Sequence, residues 1–397
     1  MMQHNRQLRR RRRQRHPLVT AAGAAVAAYG TYRLAKFAWD TYWQVEDDIG
    51  NGEEERNGDQ EETAILFENN LCVGDDVKRM RMQRCKVEAS KALMDFLPSL
   101  KVCIENLECT NFSECVRDLK AIRRRKKEVK DSDDSNGDDS IDGERERERE
   151  LWDIIKVRSM TKHMCACYSF TIMFLLLNVQ VHLLGGQNVR NRVMKKRDEE
   201  NECDFHALND NNDPIARIHH RVLKRTYDYF FKNGVPLLAN DIEKALSKNI
   251  SDLDMRSVTG ISKELFENTV KNARRDFELR EGVLQYIIQD EDNLESDDSV
   301  VQYILDETWD IIESISFMTA LNECMDILFH LAHENLTIFD KKSTNSEYQE
   351  PSLAQIVAQL KQVFSTFFSK DDAKSSYIDK LILLPKVHQL GISSFDI

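Results

Sequence analysis

The chain has 397 residues, with 56 Lys and Arg against 68 Asp and Glu and a formal net charge of -12. Hydrophobic residues make up 41% and charged residues 31%, enough apolar material for a core flanked by very polar segments. With only 6 Pro and 14 Gly, it lacks the regular turns of a β-sandwich or barrel and the Gly-rich loops of a doubly wound α/β fold, so mostly helix remains.

In chain order, the N-terminus comes first. Residues 1–16 form a basic tail: seven arginines fall between Arg6 and Arg15, and no acid precedes Asp40. PLVTAAGAAVAAYGTY, Pro17 to Tyr32, is uncharged and is followed by Arg33, Lys36, Phe37, Trp39, Tyr42 and Trp43. The apolar run is short for a bilayer, but flanking cations snorkel and Trp and Tyr settle at the interface. It reads as a single membrane anchor over 17–39 that includes Leu18, Val19, Val26, Tyr29 and Tyr32, with small residues such as Ala22 and Gly23 permitting close packing. A cleaved signal or transit peptide, or a soluble amphipathic helix, is the alternative; the scarcity of Ser and the aromatic belt favour the anchor.

Residues 40–77 read as an acidic linker, since 44–62 hold nine acids and one arginine. The bundle is expected over 78–397. Apolar residues at helical spacing predict a helix from Lys78 to Leu107 (Met82, Cys85, Ala89, Ala92, Leu93, Phe96), with Pro98 as a kink or break. A second helix is expected over about 112–128. An acidic insert over about 130–150 reads as disordered, its RERERE end beginning the next helix; its Asp spacing lacks the Gly and Glu of a Ca²⁺ loop. That next helix is expected from Leu151 to Leu184, stopped by Gly185-Gly186. Within it Met164–Leu184 carries no charge and is long enough to cross a bilayer; a helix buried in a protein core fits equally, and suits Asn178, Gln180 and His182 better. Further helices are expected at about 215–248, 259–280, 299–335, 352–369 and 374–383, with loops at Asn209–Pro214 and in the acidic 290s.

Chemistry is sparse. Nine cysteines at irregular spacing point to a reducing compartment, and three Asn-x-Ser/Thr tripeptides (Asn111, Asn249, Asn335) carry little weight. No phosphate-binding loop, dinucleotide fingerprint, nucleophile elbow or HExxH motif is present. His163, Cys165 and Cys167 are spaced so that they do not converge on one helix face, so no metal is expected. His219, His220, His330 and His333 read as ordinary surface or core histidines. Basic runs at 9–13 and 123–127 lack the interleaved aromatics of a nucleic-acid surface. The residues alone describe a membrane-tethered, acidic, all-α binding protein rather than an enzyme, without cofactor.

Several blocks carry a resemblance. LWDIIKVRSMTK (151–162), the apolar helix and NVQVHLLGG (178–186) resemble the most recognisable stretch of the peroxin-3 (peroxisomal biogenesis factor 3) family. The N-terminal RRRRRQRHPLVTAAGAAVAAYGTYRLAK, RMQRCKVEASKALMDFLPSLK (81–101), LDETWDIIESISFMTALNEC (305–324) and SLAQIVAQLKQVF (352–364) are similar to further family blocks in family order. The resemblance implies an elongated bundle of long helices behind a single N-terminal anchor, with 164–184 in its core. It implies a peroxisomal membrane receptor whose bulk lies in the cytosol, docking the cargo-carrying chaperone peroxin-19 and supporting membrane-protein insertion. The partner's N-terminal amphipathic helix would lie in an apolar groove, a helix-in-groove mode, at positions matching Leu119, Lys120, Trp152 and Ile155. Charge alone would keep the N-terminal arginines in the cytosol; the resemblance places them on the matrix side. The other functional class is a membrane-anchored helical scaffold of another organelle recruiting an amphipathic peptide.

Overall fold

The computed structural model describes residues 63–131, 138–199, 214–251, 253, 260–278, 283–287, 299–339, 350–368 and 375–396. The basic tail, the expected anchor with Leu18, Val19, Val26, Tyr29 and Tyr32, and residues 40–62 lie outside them. Eleven α-helices are described: α1 Thr63–Glu105, α2 Ser113–Asp131, α3 Asp138–Glu199, α4 Pro214–Tyr229, α5 Val235–Asn249, α6 Lys263–Glu278, α7 Ser299–Glu313, α8 Ile315–Glu334, α9 Leu353–Phe367, α10 Ser375–Ile382 and α11 Pro385–Asp396. Among the described residues there is no strand.

The fold is organised around α3. It packs against α1, α2, α5, α8, α9 and α11. From Met164 to Leu184 every residue except Val181 is buried, and 94% of its most apolar window lies inside the bundle. A helix that is apolar all round must be surrounded, and here protein supplies the surround. Its polar residues are partly satisfied there. The Gln180 side-chain amide donates to Thr226 Oγ1 at 3.0 Å, and His182 Nδ1 lies 2.7 Å from the Asn178 carbonyl.

Side-chain pairs fix the directions. Glu105 at the end of α1 pairs with Lys162 at 3.6 Å, while Cys85 lies against Gly185, so α1 runs antiparallel to α3. The hairpin of α2 and α3 therefore occupies the end of the bundle opposite to Thr63.

Several helix boundaries differ from the expected ones. α3 passes straight through Gly185-Gly186 to Glu199, because both glycines admit a neighbour: a Cβ on Gly185 would sit 2.5 Å from Cys85 Sγ, and one on Gly186 would collide with the Phe395 carbonyl of α11. α1 starts at Thr63, inside the stretch read as linker, where the sequence TAILF supplies apolar residues, and it continues past Pro98 to Glu105. The acidic insert is helical from Asp138 onward. Arg147 pairs with Glu150 at 3.0 Å and Arg149 with Glu146 at 2.5 Å, the i,i+3 pattern that supports a charged helix.

The run expected over 215–248 contains a π-turn at Phe230–Gly234, where Gly234 meets the Tyr286 carbonyl. The run expected over 299–335 breaks at Ser314, whose extended backbone (φ -67°, ψ 150°) and side chain cap α8 by accepting from the Phe317 N–H at 3.2 Å. α11 lies beyond the last of the expected helices. Pro385 opens it, and Val387, Leu390, Gly391, Ser394 and Phe395 are buried.

Candidate functional site

α2 is amphipathic. Cys115, Leu119 and Ile122 share a stripe at i, i+4 and i+7, and Arg117, Lys120, Arg123, Arg124 and Arg125 are exposed around it. The start of α2 is held by the Asn111 side chain, which accepts from the Ser113 N–H at 3.1 Å, and by Arg158 of α3, which donates to the Asn111 carbonyl at 2.7 Å.

Leu119, Ile122 and Leu151 form a small apolar cluster of their own at this end, with Cys115 and Trp152 packed against it. Trp152 also touches the main core, so it bridges the two. Half-buried, it carries the Arg123 guanidinium 5.3 Å above its ring. Arg123 Nε lies 3.6 Å from Glu148 Oε1. The Trp152 indole N–H is buried and has no acceptor among the described residues. One turn on, Lys156 is buried; it donates to the Leu253 carbonyl at 2.7 Å and pairs with Asp153 at 2.9 Å, tying the segment after α5 to α3.

Of the residues singled out by the sequence, the structure brings Leu119 and Trp152 together and sets Lys120 on the exposed rim beside them. Ile155 belongs to the main core. Leu119 and Ile155 are only 4% and 3% exposed, so they are closed between helices; Trp152, Cys115 and the α2 cations face outward. Arg123, Cys115 and Ile122 escaped the sequence reading. The stripe 115/119/122 was a legible signal, whereas Arg123 was seen only as one cation in a run.

The other chemistry-bearing residues sit in the core. The His163 ring stacks on His333 with centroids 6.1 Å apart and meets Phe329 edge-on at 6.2 Å, and neither His163 nitrogen has a hydrogen-bond partner among the described residues. Burial, then the neighbouring His333, pushes the His163 pKa down to about 3. Burial pushes the Cys165 and Cys167 thiols up. Among the described residues no three His, Cys, Asp or Glu converge as metal ligands would.

No protein-family model matches the chain. Two curated proteins named peroxisomal biogenesis factor 3 do: that of Cricetulus longicaudatus is 22% identical over 277 residues, covering 62% of this chain and 70% of the relative. That of Mus musculus is 24% identical over 273 residues with the same coverage. These matches support a distant relationship to peroxin-3.

Proposed function

We propose that the chain is a peroxisomal membrane receptor in peroxisome biogenesis, which docks the cargo-carrying chaperone peroxin-19 and supports insertion of peroxisomal membrane proteins without catalysing a reaction. Its N-terminal segment would anchor it as a single span, with the bundle in the cytosol. The observation that carries this reading is Trp152. In a distant relative of peroxisomal biogenesis factor 3, a half-buried tryptophan stands on a small apolar cluster at the end of the bundle away from Thr63. A large aromatic at such a place contributes most of its binding energy when a partner's apolar face removes the remaining water from its ring.

The docking mode is an amphipathic helix laid across α2 and α3, its apolar side on Trp152 and Cys115 and its polar side toward Lys120. Leu119 acts from beneath by holding α2 to α3, and Ile155 by fixing this part of α3 in the main core, so their contribution is the shape of the surface. The test is titration of the detergent-solubilised full chain with the N-terminal helical peptide of peroxin-19 from the same organism. Saturable binding that Trp152→Ala weakens supports both partner and site. Binding indifferent to that substitution moves the site elsewhere, and absence of binding by a folded protein removes the function.

A further inference from the structure

We infer that Arg123 is the specificity-determining residue of this surface and that it selects an acidic amphipathic helix as the partner; this rests on the docking reading above. Arg123 is unlike the other cations of α2. Its guanidinium lies on the Trp152 ring at 5.3 Å. Its Nε faces Glu148, a carboxylate only 16% exposed, while the arginine side chain itself is 59% exposed. A planar cation laid on an indole and held on one edge by a covered carboxylate has lost much of its rotamer freedom before any partner arrives. The Nε–Glu148 approach of 3.6 Å is an ion pair too long for a hydrogen bond, and among the described residues the two terminal nitrogens make no hydrogen bond, so they remain as donors for an incoming carboxylate.

The exposed face of α2 is mainly cationic: Glu114 and Asp118 are its exposed acids, and Glu144, Glu146, Glu148 and Glu150 lie on the facing turns of α3. Arg117 pairs with Glu114 at 3.4 Å and Arg125 with Glu144 at 3.9 Å, whereas exposed Lys120, Arg124 and Lys127 make no ion pair among the described residues. A helix seated on Trp152 thus meets cations along the α2 side. A neutral or basic polar face there leaves them unpaired or repelled, while an acidic one pairs them. Charge complementarity of this kind chooses among partners with similar apolar faces more than it adds affinity.

The test uses two designed amphipathic helices of about 20 residues, roughly 30 Å long, with one Leu/Phe face in common and either Glu or Gln on the other. The full chain in detergent is titrated with each at low and high salt. The acidic peptide is expected to bind roughly fivefold to tenfold more tightly at low salt, as a few exposed ion pairs would give, and this preference shrinks as salt screens it. Arg123→Gln should remove most of the preference while leaving the Gln peptide's affinity within about twofold, which a merely structural role would not do. Lys224→Gln, in the basic but distant α4, should leave the preference intact. Equal binding of the two peptides, or a preference that survives Arg123→Gln, overturns the inference and leaves the docking reading standing. Failure of both designed peptides where the peroxin-19 peptide binds overturns the inference alone, and failure of all three with a folded protein overturns the docking reading as well.

Discussion

Gly186 of α3 lies directly against the backbone carbonyl of Phe395 in α11, so that two helices some two hundred residues apart in sequence touch where α3 has no room for a side chain. One turn earlier in α11, Gly391 approaches His182 and Asn178; a Cβ there would stand 3.1 Å from His182 Nε2. Lys78 pairs with Asp396 at 2.5 Å and clips the end of α11 to α1. The glycines let the last helix of the chain close the core.

Gly186→Ala is therefore expected to destabilise by about 3 kcal/mol, the upper end of overpacking penalties, because the obstacle is backbone and cannot rotate away. Gly185→Ala meets the Cys85 thiol instead. Its cost should fall in the Cys85→Ala background, so that the double substitution is less harmful than the sum of the singles. Thermal unfolding of the four variants checks this, and strict additivity would refute the contact.

Trp152→Ala is expected to weaken binding of the peroxin-19 helical peptide by at least about 1–2 kcal/mol, the range of an interface hot spot. Far-UV circular dichroism should be unchanged, since Leu119, Ile122 and Leu151 still pack α2 against α3 and the Arg123–Glu148 and Arg125–Glu144 pairs remain. Lys120→Ala should cost less, because the side chain is exposed and its charge is screened.

The buried histidines predict acid sensitivity. Burial lowers His163 to about 3, His182 to about 4 and His333 to about 4, the last helped by Lys263, Arg274 and His330. In the unfolded chain these side chains titrate near 6.5. Below that pH the unfolded state binds protons that the folded state refuses, so stability falls as pH drops from about 6.5 toward 4. His163→Phe, placed among the rings of Phe329, Phe367 and His333, should flatten this slope by up to about 1.4 kcal/mol per pH unit. Denaturant unfolding at a series of pH values measures it; an unchanged slope would show that His163 protonates in the folded protein.

The thiols give a complementary expectation. Cys85, Cys165, Cys167 and Cys324 are buried, and Cys85 and Cys324 are both raised to about 12, first of all by burial. These four should resist alkylation at pH 8 in the folded protein and react when it is denatured. Half-buried Cys115, packed beside Trp152, is the described thiol whose labelling a bound partner helix should slow. Mass spectrometry with and without peptide reads both effects.

The helical class and most of its elements were legible because apolar spacing is a local signal: the stretches at 112–128, 259–280 and 352–369 match α2, α6 and α9 within a few residues. α4 opens at Pro214, one residue before the expected start at about 215. The resemblance also led to Trp152 and Leu119, which the fold brings into one cluster.

The sequence by itself determined that the chain builds helices and that Met164–Leu184 must be shielded from water, since both follow from residue types and their local period. It could not decide what does the shielding, nor that Gly185 and Gly186 continue a helix, because a glycine's role depends on what approaches it. Only the tertiary structure brings α11 to those glycines, closes Ile155 into the core and lays Arg123 over Trp152. Each is a contact between segments distant along the chain, set by the packing of whole helices on α3, and no local pattern of residues encodes it.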